Sequence, residues 1–477
     1  MRAARLLAPL AAVAALLTAG QATANVAVTR ISADPFTNAS SQHATQVEPD
    51  TFAHGKTILA AIQTGRFYDG GASDLAWALS KDGGATWTNG VLPGVTKYQG
   101  GGPYDRVSDP SVAYDASHHV WLIAGLALNE TPGPVGVAVV VSHSSDGTHW
   151  SDPVVAGTGA NVDKNWIVCD STATSPYYGH CYLEWDDFGA NNRIKMSTST
   201  DGGLTWGAAL NTANSASGLG GQPVVDRNGV VTVPIANAVV SAIISFSSTD
   251  GGATWSQTRS VSTVSMHTVA GGLRADALPS AEIDRKGRVY VVWSDCRFRA
   301  NCTSNDIVMS VLRNGTWSAV TRIPIDSTAS GVDHFIPGIA VDRTTGGAHA
   351  HLVLAYYSYP VANCGANCQL TVNAISSTDG GATWSAPTQL AGPMNLAWLA
   401  DTSQGRMVGD YISASFIKGG VAIPVFALAN APAGAVFDEA MTTTSAAIVP
   451  RPGVRPASSA GAAAVTTQAA STRRAAR

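Results

Sequence analysis

The chain has 477 residues, 45% of them hydrophobic and only 13% charged, against roughly 25% charged in an average soluble domain. That balance excludes a disordered, highly charged protein, and 48 Gly with 23 Pro describe many short elements joined by tight turns, which excludes a helical bundle. A net charge of −4 leaves no basic footprint for nucleic acid.

The first element is a leader. Met1 to Arg5 carries two arginines, Leu6 to Ala19 is apolar, and Ala22-Thr23-Ala24 supplies small residues for cleavage, so residues 1–24 read as a secretory signal peptide. The mature protein is expected to be secreted, with no membrane span, because no later segment approaches the roughly 20 apolar residues a span requires. Val26 to Ile31 reads as a spare N-terminal strand.

From residue 80 onward one turn recurs. Ser80 to Trp87 has the pattern S-x-D-G-G-x-T-W, which returns at Ser199 to Trp206, Ser248 to Trp255 and Ser377 to Trp384. Ser144 to Trp150 is one residue shorter, and Ser310 to Trp317 has lost its Asp but keeps Gly315-Thr316-Trp317. The pattern suits a hairpin turn: the carboxylate accepts backbone N–H bonds, the glycines permit positive φ, and the Trp packs on the sheet. These aspartates are therefore read as structural.

Extended segments open at a Pro or an Asp and continue into apolar strands. They begin at Glu48-Pro49-Asp50, Asp109-Pro110, Asp163-Lys164-Asn165-Trp166, Gln222-Pro223, Leu278-Pro279-Ser280, Ile336-Pro337 and Gly409-Asp410-Tyr411. The six cysteines fall as three local pairs, Cys169/Cys181, Cys296/Cys302 and Cys364/Cys368, read as disulfides that suit an exported protein. After residue 445 the chain turns to Ala, Ser, Thr and Pro without an apolar period, so residues 446–477 are expected to be a disordered tail.

Polar residues gather at the strand starts. Arginine grips a carboxylate through two parallel N–H bonds, so Arg66, Arg106, Arg274, Arg297 and Arg406, with Lys164 and Tyr104, are the candidate binding residues for an acidic sugar. His334, His180 and Tyr411 are the candidate proton-transfer or nucleophilic groups. No HExxH, GxSxG or zinc-type Cys/His spacing occurs, so no metal ligands are assigned and no cofactor is required. Calcium stays open through oxygen ligands, without an EF-hand spacing.

The recurring turn resembles the Asp-box, or BNR repeat, of sialidase-like β-propeller proteins, and the resemblance spans residues 25–445. It implies an all-β fold of four-stranded antiparallel blades; seven strand starts favour a seven-bladed propeller, with the six-bladed sialidase fold as the alternative. Closure would place the spare N-terminal strand in the last blade. Sialidases carry an Arg-Ile-Pro motif before the first box, whereas Arg322-Ile323-Pro324 follows the fifth. Tyr411 with Glu282 or Glu48 could imitate their Tyr–Glu pair. The segments Gly102 to Pro110, Asp295 to Arg299 and Gly405 to Tyr411 look more like secreted seven-bladed relatives that include rhamnosyl-glucuronate lyases.

The expectation is a monomeric, secreted enzyme that cleaves a terminal linkage at an acidic sugar of a glycan or polysaccharide. Elimination at a rhamnosyl-glucuronate is slightly preferred. An exo-sialidase-type hydrolase and a non-catalytic glycan-binding propeller are the alternatives.

Overall fold

The computed structural model describes residues 26–453 apart from Pro132; the expected signal peptide and most of the expected tail lie outside them. The described residues form an all-β propeller, and helix among them is limited to single 3₁₀ turns. Five blades are antiparallel meanders with the expected four strand positions; their inner positions are Gln46–His54, Arg106–Asp115, the split pair Gly218–Leu219 and Val224–Val225, Ser280–Ile283 and Asp333–Val341, and the blade that opens at Ser280 splits its outer position into Thr316–Trp317 and Thr321–Arg322. The first two blades touch edge to edge through the single pair Ala72↔Val107.

Two sheets depart from the expected regularity. The sheet Val162–Cys169, Cys181–Asp187, Arg193–Ser199 stops at three strands, with the isolated bridges Met196↔Leu210 and Arg193↔Ser217 where a fourth would run. The last sheet consists of Ser413–Ile417, Val421–Ala429 and Glu439–Thr444, and takes its outer strand from Val28–Arg30 at the other end of the chain. Ordered packing also continues beyond residue 445, because Ile448 and Ala422 exchange two backbone hydrogen bonds.

The recurring turns fold as their composition dictates. Asp82 accepts bonds from Thr86 N (2.9 Å), Thr86 Oγ1 (2.6 Å) and Ser80 Oγ (2.8 Å), which together hold its carboxyl down at about 2. Gly83 and Gly84 have φ of 81° and 88°, and Trp87 Nε1 donates to Gly84 O. The same bonds recur around Asp201, Asp250 and Asp379. Each turn follows the third strand of its sheet, at the end of the propeller opposite the starts of the inner strands.

Inner strands have one edge facing the axis, where backbone N–H groups would lack a ladder partner. Side chains of neighbouring inner strands supply one. Asp50 Oδ2 accepts from Val112 N (2.7 Å), Ser111 Oγ from Ile167 N (3.2 Å), Gln222 Oε1 from Ala281 N (2.9 Å) and Ser280 Oγ from Ile339 N (3.1 Å). Ser413 Oγ accepts from Thr51 N (3.0 Å), tying the last sheet to the first. The apolar cores lie between facing sheets; Leu59 and Leu75, for example, pack with Val112 and Ile123 of the next blade.

All three cysteine pairs are bonded as expected: Cys169–Cys181, Cys296–Cys302 and Cys364–Cys368. No helix among the described residues is long and apolar enough to cross a membrane.

Candidate functional site

At one end of the axis the inner strands begin with a common irregularity. The ladder slips between Val47 and Asp50, Ser108 and Ser111, Asp163 and Asn165, and Phe335 and Gly338. Inside each slip one residue has positive φ: Glu48 (55°), Asp109 (48°), Lys164 (43°) and Ile336 (49°). A bulge of this kind leaves its extra residue out of the ladder and re-aims the side chain. Holding non-glycine residues there costs about 1–3 kcal/mol each and is tolerated only where the surroundings over-determine the conformation.

Here the surroundings are charges. Lys164 Nζ lies 3.4 Å from Glu48 Oε1, 3.1 Å from Asp109 Oδ1 and 2.5 Å from Asp410 Oδ2, and Asp410 also pairs with Arg274 Nη2. These four groups on Lys164, Glu48, Asp109 and Asp410 are nearly inaccessible to solvent, whereas Arg274 is 18% exposed. Burial would lower Lys164, but Asp109, Asp410 and Glu48 outweigh it and hold the ammonium well above its ordinary range. Burial likewise opposes ionisation of Asp410, yet Arg274 and Lys164 keep it an anion. Glu48 goes the other way: burial, reinforced by Asp109 and Asp410 against the pull of Lys164, pushes it up to about 7.

Arg66 completes the cluster. It is 4% exposed, donates from Nη1 to Gln63 Oε1 and Gly71 O at 3.0 Å, and leaves Nε unpartnered. Of the five arginines singled out in the sequence it alone has no carboxylate within 4.0 Å among the described residues, while Arg106 has two and Arg274, Arg297 and Arg406 have one each. Burial first and Arg274 second bring it down to about 10, against the opposing pull of Glu48, Asp109 and Asp410. Gln63 relays to Glu48 Oε2 and Ser108 Oγ at 2.7 Å.

Asp276 stands two residues beyond Arg274 and is exposed. Partial desolvation, with Asp410 nearby, raises its carboxyl against the opposing pull of Arg274 and Lys164. Below it, Lys164, Trp166, Gln222, Leu278, Pro337 and Tyr411 enclose a cavity of about 20 Å³, room for a water and not for a sugar ring. Of the charged groups around the axis, Asp276 is exposed and Arg274 is 18% exposed, whereas Arg66 is 4% exposed.

The other sequence candidates are distributed differently. Tyr411 is at the axis, edge-on to Trp166 at 5.1 Å, but its hydroxyl donates to Pro110 O at 3.0 Å, and burial followed by Glu48 raises its pKa well above the ordinary value. Lys164, expected to touch substrate, is instead enclosed by carboxylates. Arg106 is a strut between Asp69 (2.5 Å) and Glu130 (2.9 Å) with its guanidinium on Phe67. Arg297 is held bidentate by Asp295 at 2.9 and 2.7 Å. Tyr104 packs on the core between the first two blades. Arg406 lies off the axis, donating to Leu399 O (3.0 Å) and 3.7 Å from Asp401.

Neither histidine joins the cluster. His334 is 2% exposed, with Nδ1 on Asn305 O, Nε2 3.7 Å from Asp326 and its ring against Tyr356. Burial lowers its pKa. His180 precedes Cys181, paired with Cys169 at the far end of the strand that starts near Lys164, roughly 16 Å along an extended chain. Asp306, Asp326 and His334 form the one group of potential metal ligands among the described residues. Arg299 and Arg322 already pair with both carboxylates, so the group balances its own charge without an ion.

Glu48, Asp109 and Asp410 carried a signal, since each adjoins a predicted strand start. Asp276 and Gln63 carried none: one is a loop carboxylate and the other a polar residue inside an apolar strand.

No protein-family profile matches the sequence, and no curated protein matches it. Solved structures resemble it weakly. A protein of unknown function from Dyadobacter fermentans is 16% identical, with 73% of this chain and 98% of that one covered and a TM-score of 0.45. An ulvan lyase of a polysaccharide lyase family, PL25, bound to -[GlcA(1-4)Rha3S]-, is 11% identical over 87% and 95% at a TM-score of 0.47. A sialidase from Streptococcus pneumoniae is 11% identical over 88% and 71% at 0.40.

Proposed function

We propose that this chain is a secreted, monomeric, seven-bladed enzyme that cleaves a glycosidic linkage at an acidic sugar, and that it does so by hydrolysis. The three-stranded and last sheets are counted here as the remaining two blades, and three disulfides suit an oxidising compartment. The observation that carries the reading is the mouth of the axial cluster, where Arg66 has no acidic partner and Arg274 shares its own with Lys164. Two such guanidiniums suit a uronate or sialate carboxylate. Asp276, exposed and raised, is the group suited to protonate the leaving glycosidic oxygen as the C–O bond breaks; water adds to the anomeric carbon, and the proton it gives up passes through solvent to restore the Asp276 carboxyl. Asp410, kept an anion by Arg274 and Lys164, would favour the positive charge that develops on the ring.

Elimination at a uronate would use the same carboxylate clamp but needs a base for the C5 proton, and the recorded partners of His334 and His180 are Asn305, Asp326 and Gly251, not residues of the cluster. The test incubates the purified protein with sialosides and with rhamnosyl-glucuronate-capped arabinogalactan, following released sugar and the ultraviolet absorbance of an unsaturated uronate together. Released acidic sugar without absorbance is expected. Asp276→Asn should lower kcat by about 10²–10⁴-fold, and activity should fall as pH rises through the raised carboxyl pKa, because the acid must carry its proton. Rising absorbance would replace hydrolysis by elimination, and no release from either substrate would favour a glycan-binding propeller.

A further inference from the structure

A second concavity opens at the same end of the propeller, between the last sheet and the first. It is a groove of about 410 Å³ whose lining includes Gln42, Tyr68, Asp401, Arg406, Pro432 and Phe437. Tyr68 is 57% exposed, yet its loop is pinned: Phe67 N donates to Gly71 O, and Ser403 N donates to Tyr68 O at 2.8 Å. An aromatic ring displayed on fixed backbone is a stacking platform with little ordering cost. Arg406 forms one wall, with a single carbonyl bond and a 3.7 Å approach to Asp401, so its guanidinium keeps donors for an anion.

The groove is built onto the arginines of the axial cluster. Gln42 N donates to Arg66 O, and the Gln42 side chain exchanges two bonds with the Asp401 backbone, at 2.7 and 2.9 Å. From the other side, Arg274 N donates to Arg406 O at 2.8 Å. The hairpin Ala400–Thr402 with Gly405–Met407 therefore spans from the backbone of Arg66 to that of Arg274.

We propose that this groove is a second saccharide subsite, which takes a further uronate ring of the same chain by stacking on Tyr68 and pairing with Arg406. The proposal rests on the axial reading above and extends it from a single acidic sugar to an acidic oligosaccharide. The test is calorimetric binding of mono-, di- and tetraglucuronate to the full-length protein and its variants. The wild type should bind the tetramer about tenfold more tightly than the monomer. Tyr68→Ala and Arg406→Gln should each remove about 5- to 10-fold of tetramer affinity, and Tyr68→Ala should leave monomer affinity within about twofold. Arg66→Gln should weaken both ligands. Tetramer affinity unchanged in Tyr68→Ala and Arg406→Gln overturns the subsite, whatever Arg66→Gln does. Monomer affinity unchanged in Arg66→Gln overturns the axial reading instead, and failure of all three saccharides to bind overturns both.

Discussion

Asp50 has both carboxylate oxygens engaged at the axis, one by Val112 N at 2.7 Å and the other by Ser413 Oγ at 3.2 Å, so a single side chain ties three neighbouring inner strands. Burial nevertheless dominates those bonds and raises it to about 7 from an ordinary 3.8. The folded state then binds a proton that the unfolded state has released, and the sign follows: this contribution is complete below pH 3.8 and is lost as pH climbs through about 7. Three pH units correspond to about 4 kcal/mol. Asp50→Asn keeps the shape and an acceptor for Val112 N but cannot ionise. Its thermal midpoint should change less between pH 5 and 8 than that of the wild type; an identical decline in both proteins would show that Asp50 ionises without penalty. Sequence could not indicate this, because Asp50 reads like any polar residue at a strand start. The same limit separates the arginines: Arg66 and Arg106 look equivalent in sequence, and only the distant Asp69 and Glu130 make Arg106 a strut.

At the scale of the element the recurring turn was the most legible feature, since each bond it makes is local and each partner lies within four residues. Its glycines face demands that extend further. Gly252 has φ of 85°, and a Cβ there would stand 2.2 Å from Thr198 Oγ1 and 3.0 Å from Tyr182 Cε1 on the preceding sheet. Gly315 has a similar φ of 78° with nothing within 4 Å. Gly315→Ala should cost only the left-handed strain, about 1–2 kcal/mol. Gly252→Ala should add about 1–3 kcal/mol for overpacking, measured by urea unfolding. Equal losses would mean that blade-to-blade packing tolerates the methyl group. Strand starts were legible for the complementary reason, that Pro and Asp mark them. What sequence did not convey was the left-handed bulge at Glu48, Asp109, Lys164 and Ile336, because positive φ in non-glycine residues is held by the assembled axis, at the buried Ile336 as at the charged positions, and not by local preference.

At the scale of the whole molecule, closure depends on residues at opposite ends of the chain. Val28–Arg30 pairs with Thr442–Thr444, Ile31 N donates to Met441 O at 2.9 Å, Arg30 meets Asp438 at 2.6 Å, and Ile31 is buried to 1% in the largest core cluster. The spare strand found in the sequence thus covers an edge that would otherwise be open to pairing with another molecule. Removing residues 26–31 deletes a buried isoleucine, worth about 2–5 kcal/mol, and exposes the strand Glu439–Thr444. The truncated protein should melt earlier and self-associate, as read by calorimetry and size-exclusion chromatography. A synthetic peptide of residues 25–32 should restore the midpoint in a concentration-dependent way, since a ligand of the folded state stabilises it by mass action. A truncated protein that melts like the intact one would mean that the Asp50–Ser413 and Thr51–Ser413 bonds alone close the ring. Restoration by the peptide would instead assign closure to the outer strand, leaving the inner bonds to set the register of the strands that carry the charged cluster.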